Sequence, residues 1–204
     1  MWDDGTADGT EADERVLNTA IRLFAELGYD ATSLDLIAHA AGAEARESRL
    51  LRDGKPLLYR AVFDRFRTLE ETYFETAAKD APGGVEGVHR LVDAAVDFTV
   101  AYPEVNAVWG HRALKDAIDL DFPDGFTPGL ETALTSRTWT GVRDDVDFRF
   151  LAWTVIWQVM GFAGTGLPCE TGRAHSDDSP ALAYFRAQLH ELIDCRIRAP
   201  GHTG

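Results

Sequence analysis

The sequence predicts an all-α protein of about nine helices. Along the 204 residues, apolar side chains recur every three or four positions, which is the spacing of one helix face. No segment alternates apolar and polar residues as a half-buried strand does, and glycines or prolines separate the periodic segments. The composition, with 45% hydrophobic and 26% charged residues, is that of a folded globular protein rather than a disordered chain.

The N-terminus is predicted to be an acidic tail followed by a helix. Residues 1–12 mix Asp, Gly and Thr without apolar periodicity, which indicates disorder. Thr10 and Asp13 then resemble a capping box, in which a side chain at each position satisfies a free backbone amide. We therefore expect a first helix over residues 12–27, ended by Gly28.

Three further helices follow at short intervals. Ser33 is suited to cap a second helix over residues 34–41, and Gly42 ends it. A third, short helix is predicted over residues 43–52. Pro56 suits the first turn of a fourth helix, whose single apolar stripe continues for about six turns.

Five more helices complete the prediction. Their approximate ranges are 88–102, 103–117, 130–139, 145–163 and 180–198. The eighth helix is apolar on nearly all sides, so we expect it to be buried on most of them. Two apolar helices at the end of a chain suit a four-helix bundle between two copies, and we therefore expect a homodimer through the last two ranges.

Charge, cysteines and motifs exclude several classes of protein. The 20 Lys and Arg against 34 Asp and Glu give a net charge of −14. Cys169 and Cys195 lack CxxC spacing, which argues against a disulfide scaffold or a zinc module and favours reduced thiols. The chain has no HExxH, GxSxG or glycine-rich phosphate loop, so we expect no enzymatic activity, no cofactor and no metal.

Targeting signals are also missing from the sequence. The N-terminus has neither a basic region nor an apolar core of a signal peptide, and no apolar stretch reaches the ~20 residues that a membrane span needs. We therefore expect a cytoplasmic protein with no membrane partner.

One segment resembles a known family. The stretch from Ala20 to Gly42, AIRLFAELGYDATSLDLIAHAAG, followed by Gly54-Lys55 and by Leu58–Val62, closely resembles the N-terminal domain of TetR-family transcriptional regulators. The resemblance implies a helix-turn-helix DNA-binding domain over residues 13–60 and a ligand-binding and dimerisation domain over 61–204. It further implies a homodimer that binds operator DNA and releases it when a small-molecule effector binds.

The resemblance also implies positions for contacts with DNA. Thr32 and Ser33 lie where the family touches a phosphate from the first turn of the second helix, although both residues would serve equally as plain helix caps. Lys55 matches the lysine that opens the fourth helix and contacts phosphate.

The segment that would read the bases departs from the family pattern. It carries Glu44, Arg46, Glu47 and Arg49, and the two glutamates stand where the family tends to present neutral or basic groups. A carboxylate can accept a hydrogen bond from cytosine, whereas the arginines can contact bases or phosphates. The alternative for the arginines is pairing within the helix with Glu44, Glu47 or Asp53.

The net charge of the N-terminal part bears on its electrostatic attraction to DNA. Residues 1–80 hold 10 basic and 17 acidic side chains, a net −7, whereas residues 33–60 hold five basic and four acidic ones. DNA affinity comes largely from neutralised phosphates, so a few arginines and one lysine would have to supply it.

Aromatic residues with a few polar neighbours are candidates for an effector pocket, because apolar walls with convergent polar groups are what such a pocket requires. His111 is an alternative surface group, and the amide of Gln158 could equally bind a neighbouring helix. The candidate residues are Phe98, Tyr102, Asn106, Trp109, His111, Trp139, Trp153, Trp157 and Gln158.

Two functional hypotheses remain open at this point. The first is a ligand-responsive TetR-type transcriptional regulator, in the repressor role that is usual for such a design. The second is a TetR-like small-molecule-binding or partner protein that has lost sequence-specific DNA binding, which the acidic recognition segment would explain.

Overall fold

The computed structural model describes residues 5–120, 128–169 and 172–198, with side chains from residue 10 onward. The all-α prediction is confirmed, because the described strands form one short hairpin. The elements in chain order are α1 (Gly5–Leu27), α2 (Leu34–Ala41), a 3₁₀ turn (Ala43–Glu47), α3 (Arg49–Arg52), α4 (Lys55–Asp80), α5 (Gly84–Ala101), α6 (Pro103–Ala113), α7 (Gly129–Thr135), α8 (Phe148–Thr165), β1 (Leu167–Cys169), β2 (Gly172–Ala174) and α9 (Ser179–Ile197).

Helix α1 begins well before the predicted start. It is helical from Gly5, so the prediction of a disordered tail is wrong for residues 5–12. Residues 1–4 of the predicted tail lie outside the described ranges. Thr10 consequently lies inside the helix rather than at its cap. Once a helix has been nucleated, each added residue contributes one more hydrogen bond. The helix can therefore extend through residues that have no apolar face.

The segment predicted as a third helix over residues 43–52 is divided in two. A 3₁₀ turn ends at Glu47, and α3 begins at Arg49. Between them Ser48 has extended backbone angles, and its side-chain oxygen accepts a hydrogen bond from the amide of Leu50 at 3.1 Å. Serine competes for helix hydrogen bonds in this way, which is why it interrupts a helix and caps the next one.

Helix α6 is shorter than predicted. It ends at Ala113 rather than at Ala117, because Lys115 and Ala117 both take up positive φ angles, 71° and 57°. Left-handed backbone is costly for residues other than glycine and persists only where surrounding contacts hold it. Here Nη1 of Arg112 donates to the carbonyl oxygen of Ala117 at 2.6 Å.

The hairpin between α8 and α9 was not predicted. Its antiparallel strands pair Leu167 with Ala174 and Cys169 with Gly172. Strands of three residues are too short to show the alternation by which a strand is recognised in a sequence.

The described residues form two compact units. The first contains the residues up to Thr68 together with those from Glu104 to Leu120, and the second contains Leu69–Pro103 together with the residues from Pro128 onward. Fully buried side chains fill the core of each unit. They include Val16, Phe24, Ile37, Leu58, Tyr59 and Val62 in the first unit, and Val88, Leu91, Leu130, Leu134, Val155 and Ile193 in the second.

Helix α8 is less buried than its sequence predicts. Leu151, Val155 and Val159 are buried within the second unit, as expected of an apolar helix. On another side of the same helix, Phe150 and Trp157 are 58% and 59% exposed in the single chain. The chain therefore covers one side of α8 and leaves large aromatic surface open on another.

Within the described ranges, no helix combines the length and the apolar character that crossing a membrane requires.

Candidate DNA-binding surface and ligand cleft

A carboxylate on α1 holds the segment predicted to read DNA. Oδ1 of Asp13 accepts a hydrogen bond from the hydroxyl of Ser48 at 2.7 Å and another from the amide of Arg49 at 2.8 Å. Burial raises the pKa of Asp13, but the hydrogen bonds from Ser48 and from the backbone of Arg49 and Leu50 outweigh it and leave the pKa below its ordinary value. The start of α3 is thus fixed to α1 by an ionised group.

The charged side chains of this segment have mixed surroundings. Glu44 is neutralised by Arg15 of α1, with Nη2 and Oε2 3.1 Å apart. Arg46 and Glu47 are exposed. Arg49 is 73% exposed, and its Nε lies 3.9 Å from Asp13, so the ion pair resolved for it reaches α1 rather than a glutamate of its own segment.

Thr32 and Ser33 differ in what their hydroxyls do. Thr32 is 1% exposed, and its hydroxyl donates to the carbonyl oxygen of Gly28 at 2.7 Å. Ser33 is exposed and caps α2, where its hydroxyl oxygen accepts a hydrogen bond from the amide of Leu36 at 3.1 Å. This geometry favours a structural role for Thr32, while Ser33 keeps an accessible position at the helix N-terminus.

Lys55 begins α4 and covers an aromatic ring. Its Nζ lies 3.9 Å from the centroid of the Tyr29 ring, which is within range of a cation–π interaction. Burial lowers the pKa of Lys55, and the nearby carboxylates of Asp30 and Asp116 oppose that shift. The ring belongs to an aromatic cluster, because Tyr29 lies 4.7 Å from Tyr59 between ring centroids.

The turn after α6 is tied to the corner between α1 and α2. The Asp116 carboxylate accepts hydrogen bonds from the amides of Tyr29 and Asp30, at 2.5 and 2.9 Å. Nε2 of His111 lies 3.1 Å from the carbonyl oxygen of Ala25. The sequence gives no local sign of these contacts, since the partners lie more than eighty residues apart.

The segment that carries these contacts has known relatives. A family model described as "Bacterial regulatory proteins, tetR family" matches residues 16–46, which extend from α1 through α2 to the 3₁₀ turn. Residues 16–46 thus match the helix-turn-helix segment of TetR-family regulators. The recognition made from residues 20–62 is thereby confirmed for the helix-turn-helix segment.

Similarity of fold extends beyond that segment. A solved structure described as a TetR-family transcriptional regulator from Pectobacterium atrosepticum is 20% identical to this chain, with a TM-score of 0.56. The alignment covers 96% of this chain and 98% of the other. Sequence identity at this level shows a shared fold alone. No curated protein sequence matches this chain.

The nine residues predicted to line an effector pocket are divided between the two units. Asn106, Trp109 and His111 belong to α6 in the first unit, whereas the other six belong to the second unit. Trp109 packs edge-on against Phe63 with centroids 4.8 Å apart. Oδ1 of Asn106 is buried and accepts no hydrogen bond from the described residues, so this side chain has an acceptor that is not satisfied within the described part of the chain.

The predicted residues of the second unit have several different roles. Trp139 is buried, and its Nε1 donates to the carbonyl oxygen of Leu134 at 2.9 Å. Nε1 of Trp153 donates to Glu131 at 3.1 Å. Trp157 and Gln158 are exposed, so the amide of Gln158 interrupts an apolar sequence without being buried.

A cleft of about 420 Å³ lies in the second unit, between α4 and α5. Of the predicted pocket residues only Tyr102 lines it, and the ring centroid of Phe98 lies 4.9 Å from that of Tyr102. The residues of the remaining walls were not predicted from the sequence, and they include Thr72, Tyr73, Thr76, Arg90, Asp93 and Asp97. The available signal was the four-residue spacing of Asp93 and Asp97 within the mostly apolar second half of α5.

Glu70 is a titratable group of the second unit that the sequence did not single out. Burial raises its pKa to about 7, although the amide of Gly129, 3.4 Å from Oε2, acts in the opposite direction. The neighbouring charge of Glu71 adds to the increase. Near neutral pH this carboxyl group is therefore partly protonated.

Proposed function

We propose that this protein is a one-component transcriptional regulator that binds operator DNA as a homodimer and responds to a small molecule in the cytoplasm. The observation that carries the proposal is the family match over residues 16–46, which covers the second half of α1, all of α2 and most of the 3₁₀ turn. In a helix-turn-helix, the second of the two helices lies in the major groove. In this chain that helix corresponds to residues 43–52, the recognition segment, which follows α2. The role proposed for the chain is binding rather than catalysis.

The contacts of the recognition segment support DNA binding. Arg46 is exposed, and Arg49 is 73% exposed on a segment whose start is fixed by Asp13. The ion pair between Glu44 and Arg15 offsets one of the two acidic charges that would otherwise repel phosphate. Accessible arginines on a rigid support are what base or phosphate contacts require.

The exposed apolar surface supports the homodimer. Phe150 and Trp157 on α8 are exposed by more than half, as are Tyr184 and Leu192 on α9. Positions 150 and 157, like 184 and 192, are about two helical turns apart, so each pair lies along one side of its helix. Large aromatic surface of this kind marks an interaction site, and two helices from each copy would complete a four-helix bundle.

The cleft between α4 and α5 is the proposed effector site. Tyr73 and Tyr102 provide aromatic surface, Asp93 and Asp97 provide charge, and Thr76 provides a hydroxyl group. An effector acts only if it binds the DNA-bound and DNA-free forms with different affinity. Through the hydrogen bonds that Asp116 accepts from the corner between α1 and α2, the turn after α6 directly contacts the DNA-binding helices.

The test is binding of labelled duplexes from the DNA flanking the gene, at low and at moderate salt. We expect sequence-specific binding, weakened by Arg46→Ala and by Arg49→Ala by about 1–3 kcal/mol, or roughly 5- to 150-fold, if each arginine contacts a base. Arg22→Ala is the matched control, since Arg22 pairs with Glu26 on α1 and should leave affinity unchanged. Absence of binding at low salt by an intact dimer would contradict the proposal.

A second candidate function is favoured by one observation. Glu44 and Glu47 are both exposed on the recognition segment, and its α-helical part, α3, has four residues. A TetR-like protein that binds a small molecule or a partner, without reading DNA, would have this surface. It is the conclusion if the DNA experiment gives no sequence-specific binding while the protein remains folded and dimeric.

A further inference from the structure

Helices α5 and α9 are joined by two crossed pairs of histidine and aspartate. On α5, His89 and Asp93 are one turn apart, and on α9 His190 and Asp194 have the same spacing. Nε2 of His89 lies 2.8 Å from Oδ1 of Asp194, and Nε2 of His190 lies 3.0 Å from Oδ1 of Asp93. Each helix thus provides one imidazole and one carboxylate to the other.

The two imidazole rings are in direct contact. Their centroids are 4.3 Å apart, and the ring planes differ by 9°, so His89 and His190 stack face to face. Neutral rings stack favourably, but two protonated rings would hold two positive charges at this distance in a half-buried place. The stack therefore tolerates one proton better than two.

Arginines already occupy the carboxylates of this cluster. Arg186 contacts Asp93 at 3.2 Å and also bonds to Asp97, and Nε of Arg198 lies 2.9 Å from Asp194. Cations at both aspartates disfavour a divalent metal ion. In agreement with this, the described part of the chain contains no group of three or more His, Cys, Asp or Glu that could hold a metal.

The charge of the cluster favours a single proton. Within its ion pairs and with neutral imidazoles, the cluster holds the three carboxylates of Asp93, Asp97 and Asp194 and two guanidinium groups, a net charge of −1. Outside these ion pairs, Arg90 lines the same cleft as Asp93 and Asp97. One proton neutralises the cluster, and a second makes it positive. Burial lowers the pKa of His89, the charge of His190 lowers it further, Asp194 opposes both effects, and Arg198 adds to the lowering.

We propose that the stacked His89–His190 pair, with its crossed aspartates, is an acid-sensitive joint between α5 and α9. The contact between the two helices persists when the cluster accepts one proton. The further proton that His89 must accept at lower pH separates the stacked rings and loosens that contact. The inference concerns the second unit alone and holds whether or not the chain binds DNA.

The direction of the pH effect follows from the position of His89. Its pKa in the folded chain is lower than the ordinary value of 6.5, so the unfolded chain binds the proton first as the pH falls. The contribution of His89 to stability is therefore complete above about pH 6.5 and decreases below it. Protonation of Glu70 acts in the opposite direction, so variants must be compared with the wild type at each pH.

The experiment measures the thermal unfolding midpoint of the full chain at pH 7.5 and pH 5.5 for wild type, His89→Gln and the control His175→Gln. We expect the midpoint of wild type to fall, relative to that of His89→Gln, by a few degrees between the two pH values, because glutamine keeps a polar side chain that does not titrate. The control, which changes an exposed histidine of the same unit, should behave as wild type. Equal pH dependence in wild type and His89→Gln overturns the proposal.

A second measurement remains decisive if His89→Gln does not fold. Titration of the histidine side chains by nuclear magnetic resonance should show His89 in wild type with a pKa below 6.5, and this pKa should rise in His190→Gln. A structural role alone would not move the pKa of His89 when its stacking partner is replaced. An ordinary pKa for His89 in both proteins overturns the proposal.

Discussion

Asp13 contacts backbone that lies 36 residues further along the chain, and this single residue positions the start of α3. The hydroxyl of Ser48 and the amide of Arg49 both donate to the same carboxylate oxygen. Sequence analysis treated Asp13 as a local capping residue of α1, because nothing in its neighbours indicates a distant partner. The contact matters for function, since Arg49 is one of the side chains proposed to reach DNA.

We predict that Asp13→Ala destabilises the folded chain by about 1–2 kcal/mol at pH 7, the usual cost of losing a charged cap. Because the pKa of Asp13 is lowered by folding, its contribution is present above about pH 4 and is lost as the pH falls through the folded value. The difference from wild type should therefore shrink in acid. Urea unfolding at about pH 7 and at about pH 2.5, below the ordinary carboxyl pKa, measures both effects.

The control for this prediction is Glu26→Ala. Glu26 forms an exposed ion pair with Arg22 on the same helix, so its loss should change stability by at most about 0.5 kcal/mol. An equal effect of the two substitutions would show that the distant cap contributes nothing of its own.

At the scale of elements, the close approach of α5 to its neighbours depends on a glycine. A Cβ atom on Gly87 would overlap the carbonyl oxygen of Pro82 and lie 2.5 Å from the ring of Trp139. Helical periodicity placed α5 correctly within a few residues, but it could not show which of its residues must lack a side chain. The reason is that packing distances between elements do not enter the hydrophobic pattern.

We predict that Gly87→Ala lowers the free energy of unfolding by about 3 kcal/mol or more, although alanine favours helices over glycine by about 1 kcal/mol. The steric overlap involves backbone, which cannot rotate away, so it outweighs helix propensity. The matched variant is Gly110→Ala on α6, where a Cβ meets nothing within 4 Å. That substitution should raise stability by about 0.5–1 kcal/mol, and denaturant unfolding distinguishes the two signs.

For the whole molecule, the proposed homodimer depends on the exposed sides of α8 and α9. Sequence analysis expected α8 to be covered on most sides, whereas the single chain leaves Phe150 and Trp157 open. The expectation and the structure agree only if a second molecule provides the remaining cover. The effect is independent of DNA, so it can be measured on the protein alone.

We predict that Trp157→Glu converts a dimer into a monomer without unfolding the chain, because a charge in an apolar interface is costly and Trp157 is already 59% exposed in one copy. Light scattering after size-exclusion chromatography gives the mass, and circular dichroism reports the fold. Leu114→Glu is the control, since Leu114 is 83% exposed on the other unit and should leave the dimer intact. A monomeric wild-type protein would contradict the proposed interface.

The sequence by itself determined the helical class, most helix boundaries and the TetR-type segment, because periodicity, caps and turn glycines act over a few neighbouring residues. The tertiary structure decided what depends on distant partners. It tied Ser48 to Asp13, divided the predicted pocket residues between two units, and stacked His89 on His190. These outcomes depend on three-dimensional proximity between residues far apart in the chain, which local sequence patterns do not encode.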